Sequence, residues 1–198
     1  MRLIGRLIAP LMTFMLAEGY RCTRSRMRYL MRLVIFALIS QPFNFRLVFG
    51  RAPESRLEYC THWNVLFTLA IALASLILIE SQMSPVPRLI LTGCCVSLTQ
   101  FGDWLYMIPV WVVIFHAFRN DKQKSAVLFI LASIILQTII WLPQYESFAA
   151  FSYQYGTLLA LIPIRCYTEQ MQRETAKKRN NTRLLYYVYY PLHMSNNH

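Results

Sequence analysis

Long apolar runs alternate along the chain with short basic or polar connectors. The runs cover residues 3–20, 29–49, 63–79, 89–101, 104–118, 125–142, 153–167 and 184–194. Several approach the roughly 20 apolar residues that a helix needs to cross a bilayer. A soluble domain can bury one or two such runs, but not seven or eight end to end. The pattern predicts an all-α, polytopic integral membrane protein, with about seven to eight transmembrane or half-spanning helices forming a single domain over residues 1–198.

The apolar stretch from residue 89 to residue 118 is too long for one straight helix and is interrupted at Gly102-Asp103. Two short helices explain it better than one. At about 1.5 Å of rise per residue both are short for a bilayer, so we expect tilted or half-spanning helices that pack against protein. The last run, 184–194, is the beginning of an eighth segment.

Composition supports the membrane interpretation and excludes one class of partner. Hydrophobic residues make up 56% of the chain and charged residues 15%, against about 25% charged residues in soluble domains. The net charge of +11 alone would be compatible with nucleic-acid binding. The arginines and lysines, however, lie mainly in connectors beside apolar runs, where they orient membrane helices. We therefore predict a lipid bilayer as the surroundings and no nucleic acid as partner.

The distribution of charge predicts a topology. Basic residues concentrate after the first, fifth and seventh runs, with Arg88 after the third, whereas the loops after the second, fourth and sixth runs are balanced or acidic. The positive-inside rule then places the N-terminus outside and segment 168–183 in the cytoplasm. The five cysteines form no CxxC pair, so their spacing predicts neither a disulfide framework nor a metal site.

Ionisable residues within predicted membrane helices are candidates for function, because each costs a few kcal/mol to insert. They are Arg6, Glu18, Arg32, Arg46, Asp103, His116 and His193. Arg6 and Glu18 lie about 18 Å apart along one helix and cannot pair with each other. Arg6 can instead extend to the outer interface, and Glu18 can form an ion pair with Arg21 or Arg24 at the cytoplasmic edge.

Three of these candidates carry more specific hypotheses. Asp103 separates two short helices, where a carboxylate can line a cavity, cap the next helix or belong to a small transporter. His116 precedes a charged turn and is interpreted as an interfacial histidine. His193 follows Pro191 about a turn inside the membrane, where an imidazole can take a proton from an attacking amine or hydroxyl.

Four ordered blocks of the chain resemble the TraX family. They are residues 4–20, which include Gly5-Arg6 and Glu18-Gly19-Tyr20; residues 23–41; residues 64–69, which begin Asn64-Val65-Leu66-Phe67; and the closing Tyr190-Pro191-Leu192-His193. Members of this family are multi-pass proteins of the bacterial inner membrane, among them the F-pilin acetylase of conjugative plasmids. The resemblance implies transfer of an acetyl group from acetyl-CoA to the N-terminal amine of pilin, without a metal.

The resemblance also implies roles for individual residues. His193 becomes the candidate catalytic base, and Arg6 and Glu18 become candidate substrate-binding groups. Asp103 joins them as a substrate-binding candidate because of its position in the broken helix. The basic residues at the predicted cytoplasmic face are in a position to attract the phosphates of CoA; they are Arg21, Arg24, Arg26 and Arg28.

The chain departs from the family pattern at both ends. Family members usually begin with another apolar span that carries an Asp-His pair, and they continue beyond the Pro-Leu-His motif. We therefore expect a copy truncated at both ends, and an inactive one if the Asp-His pair supplies the base. A non-enzymatic inner-membrane partner of pilin in pilus assembly is the alternative. A sugar or a lipid also remains open as the acyl acceptor.

Overall fold

The structure, a computed structural model, describes residues 2–50, 62–141 and 153–166. Within these ranges the regular elements are all helical, which confirms the all-α prediction. The α-helices are α1 (Arg2–Cys22), α2 (Arg26–Phe49), α3 (Val65–Ile79), α4 (Pro85–Leu98), α5 (Met107–Ala117), α6 (Lys122–Trp141) and α7 (Leu161–Cys166), and 3₁₀ helices cover Thr99–Phe101 and Tyr153–Ala160. The predicted segment 184–194 lies outside the described residues.

Asn64 joins α2 to the start of α3. Its side-chain oxygen accepts hydrogen bonds from two amides of the first turn of α3, at 3.0 and 3.2 Å, and so caps that helix. Its side-chain amide donates to the Ala37 carbonyl and to the Ser40 hydroxyl of α2, both at 2.9 Å. The side chain is fully buried, and satisfying every one of its polar atoms holds the two helices in one register.

The predicted break at Gly102-Asp103 is present. The 3₁₀ helix after α4 ends at Phe101, and α5 begins at Met107. Trp104 and Leu105, in between, have positive φ angles of 69° and 43°, a left-handed conformation that large side chains rarely adopt. Packing compensates for this strain, because Trp104 contacts both hydrophobic clusters of the core.

The two clusters divide the core between the helices. The first brings together α1, α2, α3 and α5, with Leu33, Leu73 and Ile108 fully buried among them. The second cluster surrounds Trp111 and Phe129. It joins α1, α5 and α6 to the 3₁₀ helix Tyr153–Ala160 and to α7. Helices α1, α3 and α5 contact one another and form the middle of the bundle.

Apolar side chains also cover the outside of the bundle. Exposed members recur at helical spacing on α2 and α6, at Met27, Met31, Ile35, Leu38, Val127, Leu131, Ile135 and Ile139. Hydrocarbon accommodates such faces and water does not. Among the described residues, two helices are long and apolar enough to cross a membrane, Arg26–Val48 and Lys122–Ile140. The assignment of every predicted run as a span of one transmembrane domain stays a prediction.

A glycine at the helix break tests how tightly this region is packed. A Cβ at Gly102 would overlap the Thr68 hydroxyl, whereas a Cβ at Gly93 on α4 would meet open space. We expect Gly102→Ala to lower the free energy of unfolding by about 1–3 kcal/mol, and Gly93→Ala to leave it unchanged or raise it slightly. Apparent melting temperatures in detergent measure both.

The double variant Gly102→Ala/Thr68→Ala identifies the cause. Removing the Thr68 hydroxyl leaves the new Cβ at 3.4 Å from Thr68 Cβ, so most of the stability lost in Gly102→Ala should return. A double variant as unstable as Gly102→Ala would show that the overlap is not the reason.

Candidate functional site

The carboxylate of Glu80, directly after α3, gathers the ends of three other helices. The Tyr20 hydroxyl donates to Glu80 Oε2 at 2.8 Å, and Arg26 forms an ion pair with the same oxygen at 2.8 Å. On the other side, His116 Nε2 lies 2.6 Å from Glu80 Oε1. We call these four residues the Glu80 cluster.

Local sequence explains why the four side chains meet. Tyr20 lies in the last turn of α1, and Arg26 begins α2 after a three-residue connector. Ser25 caps α2 by accepting a hydrogen bond from the Arg28 amide, so the chain reverses sharply there. His116 lies in the last turn of α5. All of these helix ends therefore lie at the same end of the bundle.

The cluster keeps the Glu80 carboxylate charged. Burial by itself would raise the pKa of Glu80, but hydrogen bonds from Tyr20 and His116 and the charge of Arg26 outweigh it and hold that pKa below its ordinary value. The Arg26 guanidinium also lies 4.6 Å above the Tyr20 ring, where the ring face attracts a cation.

The same geometry orients His116. An ionised carboxylate accepts hydrogen bonds only, so Nε2 of His116 carries the proton and, in the neutral imidazole, Nδ1 keeps its lone pair. Within the part of the chain that the structure describes, the buried Nδ1 atom has no hydrogen-bond partner. The pair is therefore an imidazole that a carboxylate orients, with a lone pair on its second ring nitrogen.

A small, partly open cleft lies at the same end of the bundle, between α1, α5, α6 and α7. We call it the basic cleft. Its charged lining residues are Glu18, Arg21, Arg119, Lys122 and Arg165, and its apolar wall includes Phe14, Phe115 and Phe118. Arg21 pairs with Glu18 at 3.2 Å within α1, one of the two ion pairs expected for Glu18 from the sequence.

Arg6 and Asp103 meet at the opposite end. The Arg6 guanidinium lies 5.0 Å from the centroid of the Trp104 ring. Asp103 lies on a turn that is exposed to solvent, but many protein atoms surround its carboxyl group. This partial desolvation raises the pKa of Asp103 to about 6, and the charges of Arg6 and His62 oppose the shift. The end opposite the Glu80 cluster thus holds a carboxyl group whose pKa is raised.

The residues predicted as a site are consequently divided. Arg6 and Asp103 lie together at one end, Glu18 lines the cleft at the other, and His193 is outside the described residues. Their catalytic and substrate-binding roles stay predictions. Of the arginines expected to attract CoA phosphates, Arg21 alone lines the basic cleft, and Arg26 is held by Glu80.

The sequence pattern did not indicate the Glu80 cluster. The pattern predicts an interfacial histidine at position 116, and it places Glu80 in the connector between the third and fourth apolar runs. One signal was present: Glu80 and His116 both lie at run ends that the charge distribution assigns to the cytoplasm. Across the described ranges, no three side chains of the His, Cys, Asp and Glu types converge as metal ligands would.

Comparison with known proteins gives a family match along nearly the whole chain. Residues 1–196 match the family described as TraX protein. The chain is also 33% identical over 128 residues to the probable fimbrial assembly protein FimC, serogroup H1, of Dichelobacter nodosus. That alignment covers 63% of this chain and 52% of FimC, so the chain spans about half the length of this curated relative. No solved structure matches.

Neutralising Glu80 should weaken the bundle in a pH-dependent way. Because its pKa is lowered in the folded protein, the stabilisation is present above the unfolded value of 4.5 and is lost as the pH falls through the lowered pKa. Glu80→Gln should cost about 1 kcal/mol at neutral pH, allowing for solvent screening. Melting temperatures from pH 7 downward should show the two proteins converging in acid; a constant difference would contradict this prediction.

Asp103 should behave in the opposite way. Its raised pKa means that the folded protein disfavours the charged form, so stability should fall as the pH rises from the ordinary value of 3.8 through about 6. Asp103→Asn removes this titration and should melt at a higher temperature than the wild type at pH 7, but not at pH 4. A variant less stable than the wild type at pH 7 would show instead that the charge of Asp103 stabilises the fold.

Proposed function

Because the chain belongs to the TraX family, we propose that it is a pilin acetyltransferase, which transfers the acetyl group of acetyl-CoA to the N-terminal amine of a pilin subunit. The family match over residues 1–196 supports the proposal. The relative named as a probable fimbrial assembly protein supports a role in pilus assembly, and pilin as the partner is part of the proposal.

The pairing of Glu80 with His116 carries the chemical part of the proposal. As the amine attacks the thioester carbonyl, it must lose a proton, which His116 Nδ1 accepts. The ionised Glu80, 2.6 Å from Nε2, stabilises the imidazolium that forms. The new C–N bond forms as the C–S bond breaks. The imidazolium then returns its proton to the departing thiolate, and CoA leaves as the thiol.

The position of the pair fits a donor that comes from the cytoplasm. Charge distribution assigns the ends of the first, third and fifth apolar runs to the cytoplasmic side. Tyr20, Glu80 and His116 belong to these ends. The outward apolar faces of α2 and α6 support an association with a membrane; the inner membrane and several spans are part of the proposal. The carboxylate–imidazole pair would then work where acetyl-CoA is available.

Two histidines compete for the role of base. The family resemblance nominates His193, whereas the hydrogen-bond geometry favours His116, because its orienting carboxylate is in place. Substitution separates them. His116→Gln keeps a donor that can reach Glu80 but removes the basic nitrogen, and His193→Ala removes the other imidazole.

The alternative, a non-enzymatic inner-membrane partner of pilin, has its own supporting observation. The Glu80 carboxylate ties together four helix ends, which is also how a structural ion-pair network behaves. This function predicts that pilin co-purifies with the chain after His116→Gln and carries no added acetyl group.

The intact mass of pilin co-expressed with the chain tests the proposal. We expect a mass increase of one acetyl group, located at the N-terminal amine, which requires the chain. The rate of acetylation should fall at least about a hundredfold in His116→Gln, the low end of the range for a general base. Gly93→Ala, an exposed helix position with free space around it, is the matched control and should acetylate normally.

Each other outcome has a defined meaning. Unmodified pilin with the wild-type chain would overturn the acetyltransferase proposal. Acetylation that survives His116→Gln but disappears in His193→Ala would keep the activity and move the base to His193.

A further inference from the structure

Three cations of the basic cleft have no carboxylate partner among the described residues. Among residues 2–50, 62–141 and 153–166, no carboxylate forms an ion pair with Arg119, Lys122 or Arg165. The nearby Asp121 pairs with Lys124 at 3.2 Å and accepts from the Lys124 amide at the start of α6. Glu18, the one acid in the described lining, is paired with Arg21.

This arrangement leaves an excess of positive charge around one opening. In the described part of the lining, four cations face one carboxylate, an excess of three positive charges. The cations repel one another, and the repulsion is stronger beside the apolar wall, where the dielectric constant is lower than in water. A bound anion would reduce this repulsion. Lys122 also lies in the first turn of α6, where the helix dipole favours negative charge and disfavours another cation.

The apolar wall limits the kind of anion that fits. Phe14 and Phe115 meet edge to face, with their ring centroids 5.5 Å apart, and form part of this wall. A small, fully hydrated anion would gain nothing from such a surface. A phosphate attached to a less polar body would place its charge among the cations and its body against the rings.

We propose that the basic cleft binds the phosphate groups of a ligand with an anionic head and a less polar body. Arginine is suited to this role because its planar guanidinium donates two parallel hydrogen bonds to phosphate oxygens. The proposal rests on the proposed function only for the ligand's identity, the acyl donor acetyl-CoA. The head group of an anionic lipid is the other source of the same chemistry.

The cleft and the Glu80 cluster are built from neighbouring positions. Arg21 follows Tyr20 on α1, and Phe115 precedes His116 on α5. A ligand held by its phosphates in the cleft would therefore lie at the same helix ends as the oriented imidazole. The cleft and the oriented imidazole thus lie at the same end of the bundle.

Binding of CoA to the full chain in nanodiscs of neutral phosphatidylcholine tests the proposal, with inorganic diphosphate as competitor. Arg119→Gln should weaken binding roughly tenfold, the value of one charged hydrogen bond. Arg88→Gln removes the same charge outside the cleft and should change it by less than about twofold. Arg119→Lys, which keeps the charge, should recover part of the affinity, and melting temperatures check that each variant folds.

Discs that contain phosphatidylglycerol separate the two sources. Displacement of CoA by this lipid, with loss of lipid retention in Arg119→Gln but not in Arg88→Gln, would support a phosphate site occupied by a lipid head group. Unchanged CoA binding that still depends on Arg119 would support the soluble donor. Equal effects of Arg119→Gln and Arg88→Gln on both ligands would overturn the proposal.

The same variants distinguish this inference from the proposed function. If CoA binding depends on Arg119 but pilin is never acetylated, the phosphate site stands and the acetyltransferase does not. If pilin is acetylated and Arg119→Gln has the same KM for acetyl-CoA as Arg88→Gln, the enzyme stands and the cleft is not its donor site.

Discussion

One ionised carboxylate holds together the end of the bundle where the candidate chemistry lies. Glu80 accepts from Tyr20 and from His116 and pairs with Arg26, so it links α1, α2 and α5 to the end of α3. A partly buried charge is tolerated only when donors surround it. That requirement draws the three donors to one place, and the orientation of His116 follows from it.

The two ends of the bundle differ in their chemistry. The Glu80 end carries an oriented imidazole beside a cleft with excess positive charge. The opposite end carries an aspartate whose pKa is raised to about 6, beside Arg6 and Trp104. The structure groups Arg6 with Asp103, two of the three residues predicted to bind substrate, and their role in binding stays a prediction.

Some of these features could be predicted because they depend on short stretches of chain. The break at Gly102-Asp103 follows from the length of the apolar run and from a glycine beside a charged residue. The Glu18–Arg21 pair follows from a spacing of three residues on one helix. Asn64 is a helix cap of the usual residue type, although its hydrogen bonds back to α2 were not evident from the sequence.

The sequence by itself determined that the chain forms helices, how apolar they are, and which of their ends carry basic residues. Each of these properties depends on residues that are close together in the chain and on whether their surroundings are water or hydrocarbon. Tertiary structure alone decided that Tyr20 and His116, 60 and 36 residues from Glu80 in the chain, share its carboxylate. It also decided that α1, α5, α6 and α7 surround one basic cleft. Such contacts depend on which helices pack together, and side-chain shape and burial across the whole bundle select that packing.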